Sequence, residues 1–232
     1  MKNFSLPVKI KMEFKEKFFA WSLSMTGKSN SQEYEEGDKI ILPQNVIMNL
    51  KPPEDVSPLF FKLTNQTQER SIHCGVLEFT ALIGNCHLPY WMMSQLILEE
   101  GSPITVELVK EVPKATSIKL KPQSRDLMDT MSDPKAILEV KLRKFTCATM
   151  GTWICFPYFG ENIYFDVVET KPASVVSLID TECNLEFDLP PVRRVSAVRA
   201  TSSSKSNTDT ESLTSLTPLT KFPGKGRRLG NK

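Results

Sequence analysis

The chain has 232 residues and 40% apolar content, enough to bury a sizeable core, and no apolar run long enough to span a bilayer. Its formal charge of +2 conceals an asymmetry: residues 193–232 hold nine Lys/Arg against two Asp/Glu, a net of +7, which leaves −5 on residues 1–192. The opening MKNFSLPVKIKMEF is charged throughout and lacks the apolar region of a secretory signal, and the five cysteines form no Cys-x-x-Cys pair; an intracellular chain with buried free thiols is expected.

Residues Val8-Lys9-Ile10-Lys11-Met12-Glu13-Phe14 alternate apolar and charged side chains as a half-buried strand does, and Phe19-Ala20-Trp21-Ser22-Leu23 continues in that style. Residues 41–50 and 87–96 then echo one another. Leu-Pro recurs after 46 residues, with apolar matches at Val46/Met92, Ile47/Met93 and Leu50/Leu96. Proline ahead of such a spacing predicts a strand end running into a short helix. Residues 58–63 and 103–108 match at an offset of 45, so each unit reads strand, short helix, strand. Two such units can cover each other's apolar faces and predict a pseudo-twofold barrel. Between the copies, residues 71–79 read as a strand in which Gly75 allows a close backbone approach or a bulge.

A second unit begins at about Lys114. Asp133-Pro134 predicts a helix start, with Asp133 as N-cap and Pro134 at the first helical position. Ala136, Ile137, Leu138, Leu142 and Phe145 give that helix an apolar face. Residues 152–156, 162–168 and 174–179 are strand-like, with a turn at Phe159-Gly160-Glu161-Asn162. The expected fold class is mainly β, α+β: a barrel followed by a smaller α+β subdomain. Past Pro190-Pro191, twelve of the twenty residues from 201 to 220 are Ser or Thr, and Phe222 is the only aromatic. Such a segment cannot offset its ordering entropy, so residues 191–232 are expected to be disordered.

Convergent catalytic chemistry is sparse. His73 and His87 each adjoin a cysteine, Cys74 and Cys86, but neighbours on a strand face opposite ways and zinc-module spacing is absent, so no metal is expected. A barrel-based hydrolase of aspartic-protease type needs paired Asp carboxylates; Asp129-Thr130-Met131 and Asp180-Thr181-Glu182 lack the glycine that shapes such a loop. No phosphate loop or nucleophile elbow is present, and Glu99-Glu100-Gly101 reads as a solvated helix end. No catalytic residue or cofactor is assigned. A tail-driven nucleic-acid binder is the other alternative, but a basic tail without interleaved aromatics offers phosphate attraction and no stacking platform.

Several blocks carry a family resemblance. Leu59-Phe60-Phe61-Lys62-Leu63-Thr64-Asn65, His73-Cys74-Gly75-Val76-Leu77-Glu78-Phe79, Leu88-Pro89-Tyr90-Trp91-Met92-Met93 and Leu98-Glu99-Glu100-Gly101 resemble the ubiquitin fusion degradation protein 1 family. Lys121-Pro122-Gln123-Ser124, Asp133-Pro134-Lys135-Ala136, Glu169-Thr170-Lys171-Pro172 and Glu186-Phe187-Asp188 continue it in the same order. The resemblance implies a double-psi β-barrel over residues 8–112, an α+β subdomain over 113–190 and a tail over 191–232. It further implies a non-enzymatic adaptor, cytoplasmic and nuclear and recruited to the ER surface. Such an adaptor brings ubiquitylated substrates to the valosin-containing-protein class AAA ATPase for extraction, unfolding and proteasomal degradation. The family's co-adaptor, the nuclear protein localisation 4 homologue, is carried over by resemblance alone: the chain stops at Lys232, before the segment that binds it, so ubiquitin and the ATPase are the partners expected without it.

The tail adds Phe222-Pro223-Gly224-Lys225-Gly226-Arg227-Arg228-Leu229, which resembles the SHP box, a short segment that binds the ATPase's N-terminal domain. Phe222 and Leu229 are the expected anchors, Gly224 and Gly226 let the backbone pass close to a partner, and Arg227 and Arg228 suit an acidic rim. No short motif transfers ubiquitin contacts, so the sequence leaves the ubiquitin-binding residues unassigned.

Overall fold

The first described strand, β1 (Lys15–Ser22), begins just after Glu13 and Phe14, the described end of the alternation over residues 8–14, which are not in a strand. The computed structural model describes residues 13–29, 31–50, 58–124 and 131–188, so Val8 to Met12, Asp129-Thr130 and the whole predicted tail with its Phe222–Leu229 motif lie outside the described residues. Phe14 is nonetheless buried, and its carbonyl accepts from Leu108 N–H at 2.9 Å. A 3-10 turn (Leu23–Thr26), the short helix α1 (Ser31–Tyr34), β2 (Lys39–Pro43), α2 (Gln44–Leu50) and β3 (Phe60–Asn65) follow. Next come β4 (Arg70–Ala81), β5 (Asn85–Leu88), α3 (Tyr90–Leu96) and β6 (Ser102–Val109).

Six strands close a barrel in the order β1-β5-β2-β4-β3-β6. Both Leu-Pro echoes are realised as predicted, β2 into α2 and β5 into α3. Their symmetry is visible in the register. Ile41 pairs with His87, and these two residues occupy equivalent places in the echo. Lys62 pairs with Glu107, again an equivalent pair, flanked by Phe61 opposite Leu108 and Leu63 opposite Val106. A pseudo-twofold axis therefore passes through both pairs, and the fold is a double-psi β-barrel. Its interior is packed with fully buried apolar side chains, among them Leu42, Phe61, Leu63, Leu88, Met92 and Val106.

The α+β subdomain comprises β7 (Ser117–Pro122), α4 (Pro134–Leu142), β8 (Cys147–Thr149), β9 (Trp153–Tyr158), β10 (Glu161–Lys171), β11 (Val175–Ser177) and β12 (Asn184–Phe187). Its main sheet has the order β12-β7-β10-β9, and β8 pairs with β11. The predicted cap is present: the Asp133 carboxylate accepts from Ala136 N–H at 3.1 Å. Of the predicted apolar face, Leu138 and Leu142 are buried, as is Phe145 just past the helix end, while Ile137 is half-buried and Ala136 exposed. The turn after β9 is also tighter than predicted. Phe159 (φ 48°) and Gly160 (φ 83°) form a two-residue connection, and Glu161 already pairs with Tyr158. Two left-handed residues match the twist of a hairpin, which is why the strands resume at once. Among the described residues no helix is long and apolar enough to cross a membrane.

Candidate functional site

The barrel exposes several large apolar side chains on and near the β4–β5 turn. The chain turns from β4 to β5 through Leu82-Ile83-Gly84, and Asn85 N–H donates to the Leu82 carbonyl at 3.0 Å. Phe19 N–H donates to the Gly84 carbonyl at 2.8 Å and ties the turn to β1. With its backbone held on both sides, the turn thrusts Leu82 and Ile83 into solvent, 75% and 83% exposed, beside Met25 at 58% and Phe19 at 55%. Leu82 and Met25 also border a cleft of about 280 Å³ whose remaining wall includes Trp21, Ile41, Thr80 and His87. The cleft lies at the seam where β2 and β5 share the single pair Ile41–His87. No carboxylate lines it, and Lys28 on its rim is ion-paired with Glu78. This arrangement suits contact with an apolar surface of another molecule and holds no acid–base pair.

A second cluster joins the barrel to the α+β subdomain. Residues 35–38 contact other elements in succession. A Glu35 carboxylate oxygen accepts from Tyr90 N–H at 2.7 Å, and Glu36 is bonded to Lys141 at 3.3 Å and Lys144 at 2.7 Å. The Gly37 carbonyl accepts from Trp91 Nε1 at 3.0 Å, and a Cβ on Gly37 would stand 2.7 Å from the Lys144 carbonyl oxygen. Asp38, only 1% exposed, accepts from Thr146 N–H at 2.7 Å and Cys147 N–H at 2.9 Å. Burial pushes the Asp38 carboxyl up from its ordinary range, and those two N–H groups pull it back. Gly75 completes the joint: a Cβ there would lie 2.3 Å from Thr146 Oγ1, so the expected close approach is made by the second subdomain. Gly75 itself stays in register opposite Lys39, and the bulge lies two residues further on, where Ile40 and Ile41 pair with Val76 and Glu78.

The residues weighed as catalytic or metal-binding do not converge. Cys74 and Cys86 are fully buried, while their histidines are half-buried and differently engaged. His73 Nδ1 lies 3.1 Å from Thr149 Oγ1, and His87 Nδ1 lies 3.3 Å from the Ser22 carbonyl oxygen. Among the described residues no group of three or more His, Cys, Asp or Glu could hold a metal ion. Asp180 sits on an exposed turn with φ 47°. Glu100 is more than a solvated helix end, because its carboxylate accepts from Ser22 N–H at 2.8 Å. Two features escaped the sequence reading. Asp38, in Glu35-Glu36-Gly37-Asp38-Lys39, looks like part of a solvated acidic turn. Leu82-Ile83 could have been noticed as adjacent aliphatics immediately before a turn glycine.

Residues 14–112 match the family description "Ubiquitin fusion degradation protein UFD1, N-terminal subdomain 1", and residues 114–190 match "N-terminal subdomain 2" of the same protein. The chain belongs to the ubiquitin fusion degradation protein 1 family. The human relative named "Ubiquitin recognition factor in ER-associated degradation protein 1" is 38% identical over 234 residues, covering 98% of this chain and 74% of its own. The "Ubiquitin fusion degradation protein 1 homolog" of Caenorhabditis elegans is 44% identical over 163 residues, 70% of this chain and 47% of its own. The Saccharomyces cerevisiae "Ubiquitin fusion degradation protein 1" is 35% identical over 189 residues, 80% of this chain and 52% of its own. Family membership accounts for the two-part body: the barrel is subdomain 1 and the sheet with α4 is subdomain 2.

Proposed function

We propose that the chain is a non-enzymatic adaptor that binds ubiquitin or ubiquitylated proteins through its body and recruits them to a valosin-containing-protein class AAA ATPase for degradation. The observation that carries this reading is membership of a family whose human relative is named as a ubiquitin recognition factor in ER-associated degradation. The barrel supports it in two ways: its interior is filled, and its surface displays Phe19, Met25, Leu82 and Ile83 to solvent. Exposed apolar side chains gathered about a turn are what protein partners cover. The alignment with the human relative spans 98% of the chain and so runs past residue 190 into the tail. There Phe222, Gly224, Gly226, Arg227, Arg228 and Leu229 form the SHP-like segment assigned to the ATPase.

The work divides between the parts: the body over residues 8–190 takes the ubiquitylated cargo, and the tail over 191–232 tethers it. Immobilised ATPase N-terminal domain and immobilised ubiquitin chains test both assignments. Phe222→Ala/Leu229→Ala is expected to lose ATPase capture and keep ubiquitin capture. Leu82→Asp/Ile83→Asp is expected to do the reverse. Equal ATPase capture by wild type and the tail variant overturns the tethering role, and undiminished ubiquitin capture by the turn variant moves the ubiquitin site elsewhere.

A further inference from the structure

Among the described residues strand β12 is the outer strand of its sheet and pairs with β7 alone. Asn184 N–H donates to the Thr116 carbonyl at 2.9 Å, and Asp188 N–H donates to the Leu120 carbonyl at 2.8 Å. Main-chain groups alternate sides along a strand, so those of Leu185 and Phe187 point away from β7. Among the described residues they meet no backbone partner. Beside this open edge lies a groove of about 290 Å³ between α4, the segment leading into β12, and β12 itself. Leu142, Leu178 and Leu185 give it an apolar floor, and Glu139, Arg143 and Glu182 stand in its walls.

Charge selects the occupant. Residues 180–188 carry Asp180, Glu182, Glu186 and Asp188 and no Lys or Arg, and Glu139 joins them from α4. Glu186 stands opposite Lys119 in the register with β7 and also interacts with Lys171, and Lys114 Nζ donates to the Asp180 carbonyl at 2.9 Å, so the charge facing the groove itself is that of Glu139 and Glu182 against Arg143. We propose that this edge and groove bind an extended polypeptide segment of alternating aliphatic and basic residues, added as a further strand beside β12. The free N–H and C=O groups of Leu185 and Phe187 pair with the segment's backbone. One aliphatic side chain fills the groove over Leu142 and Leu178, and flanking Lys or Arg side chains meet Glu139 and Glu182. A short extended stretch suits a groove of this size better than a folded surface does. The site is built from the second subdomain, whereas the Leu82-Ile83 turn belongs to the barrel, and it does not depend on the ubiquitin reading.

The test uses the full chain and two short fluorescein-labelled peptides, one alternating Val and Lys, the other alternating Val and Glu, followed by fluorescence anisotropy. The Val/Lys peptide is expected to bind, and the Val/Glu peptide to bind about tenfold more weakly or not at all. Glu139→Lys/Glu182→Lys weakens the Val/Lys peptide by about tenfold and narrows the difference between the two peptides. Phe187→Pro removes an outward N–H that the β7 ladder does not use; it abolishes binding, whereas Phe187→Leu retains it. Circular dichroism melts establish that each variant is folded. Failure of the Val/Lys peptide to bind, equal binding of both peptides, or binding indifferent to both lesions overturns the proposal. Concentration-dependent dimerisation that Phe187→Pro removes also overturns it and assigns the edge to a second copy of the chain. Ubiquitin capture by Glu139→Lys/Glu182→Lys stays at the wild-type level, which separates failure of this proposal from failure of the ubiquitin reading.

Discussion

His73 shows how one position can make the fold sensitive to acid. Burial, reinforced by the nearby Lys62 cation, pushes its imidazole down to about 4 against the ordinary 6.5, with Glu107 opposing. The unfolded chain takes up a proton near pH 6.5 that the folded protein refuses until about pH 4. Within that window the unfolded state binds more protons, so this contribution is full above pH 6.5 and is lost as pH falls towards 4. Part of the ring meets solvent, which discounts the effect to about 1 kcal/mol between pH 7 and 5. Because carboxylates also titrate there, the readout is the difference between wild type and His73→Gln in thermal melts across that range. The variant is expected to lose less stability on acidification, and identical pH profiles would remove His73 from the account.

At the scale of elements, two carboxylates fix where segments begin and join. Asp133→Ala deletes the N-cap of α4 and is expected to cost about 1 kcal/mol in chemical denaturation. Asp38→Asn leaves one acceptor for two buried N–H groups and turns an amide donor towards the other, so about 2 kcal/mol is expected to be lost. Protection of the Thr146 and Cys147 amides from hydrogen exchange should fall with it, and unchanged protection would show that Asp38 does not hold β8. The first cap was legible because Asp-Pro carries its own local geometry, and the echoes were legible because proline marks where a strand gives way to a helix. Asp38 was not legible, since its role depends on Thr146 and Cys147, more than a hundred residues away in the chain. Strands β8 and β12, three and four residues long, are too short to show a period and exist only through their neighbours β11 and β7. Ser117-Ile118-Lys119-Leu120-Lys121 in β7 does alternate, but its charges resemble a solvated linker until β10 and β12 are seen on either side. The Leu82-Ile83 surface was hidden for a different reason: hydropathy places aliphatic residues inside, and only the turn's anchored backbone keeps these two out.

At the scale of the whole molecule, the proposed adaptor must hold cargo and motor at once, and the two contacts proposed for it fall on parts of opposite charge. The body carries net −5 and a packed barrel, while residues 193–232 carry net +7 and a two-anchor motif near the end of the chain. About thirty residues separate Asp188 from Phe222, and under the proposed tether a Ser/Thr-rich segment of that length would keep the second contact at a millimolar-scale effective concentration once the first has formed. Covalent linkage is therefore the functional quantity. A mixture of Leu82→Asp/Ile83→Asp and Phe222→Ala/Leu229→Ala proteins contains every intact contact, but never both in one chain. Wild type is expected to retain ubiquitylated protein on an ATPase column, each variant alone to fail, and the mixture to fail as well. Recovery in the mixture would mean that separate copies bridge cargo and motor, and the proposed tether would then have to be replaced by an oligomer.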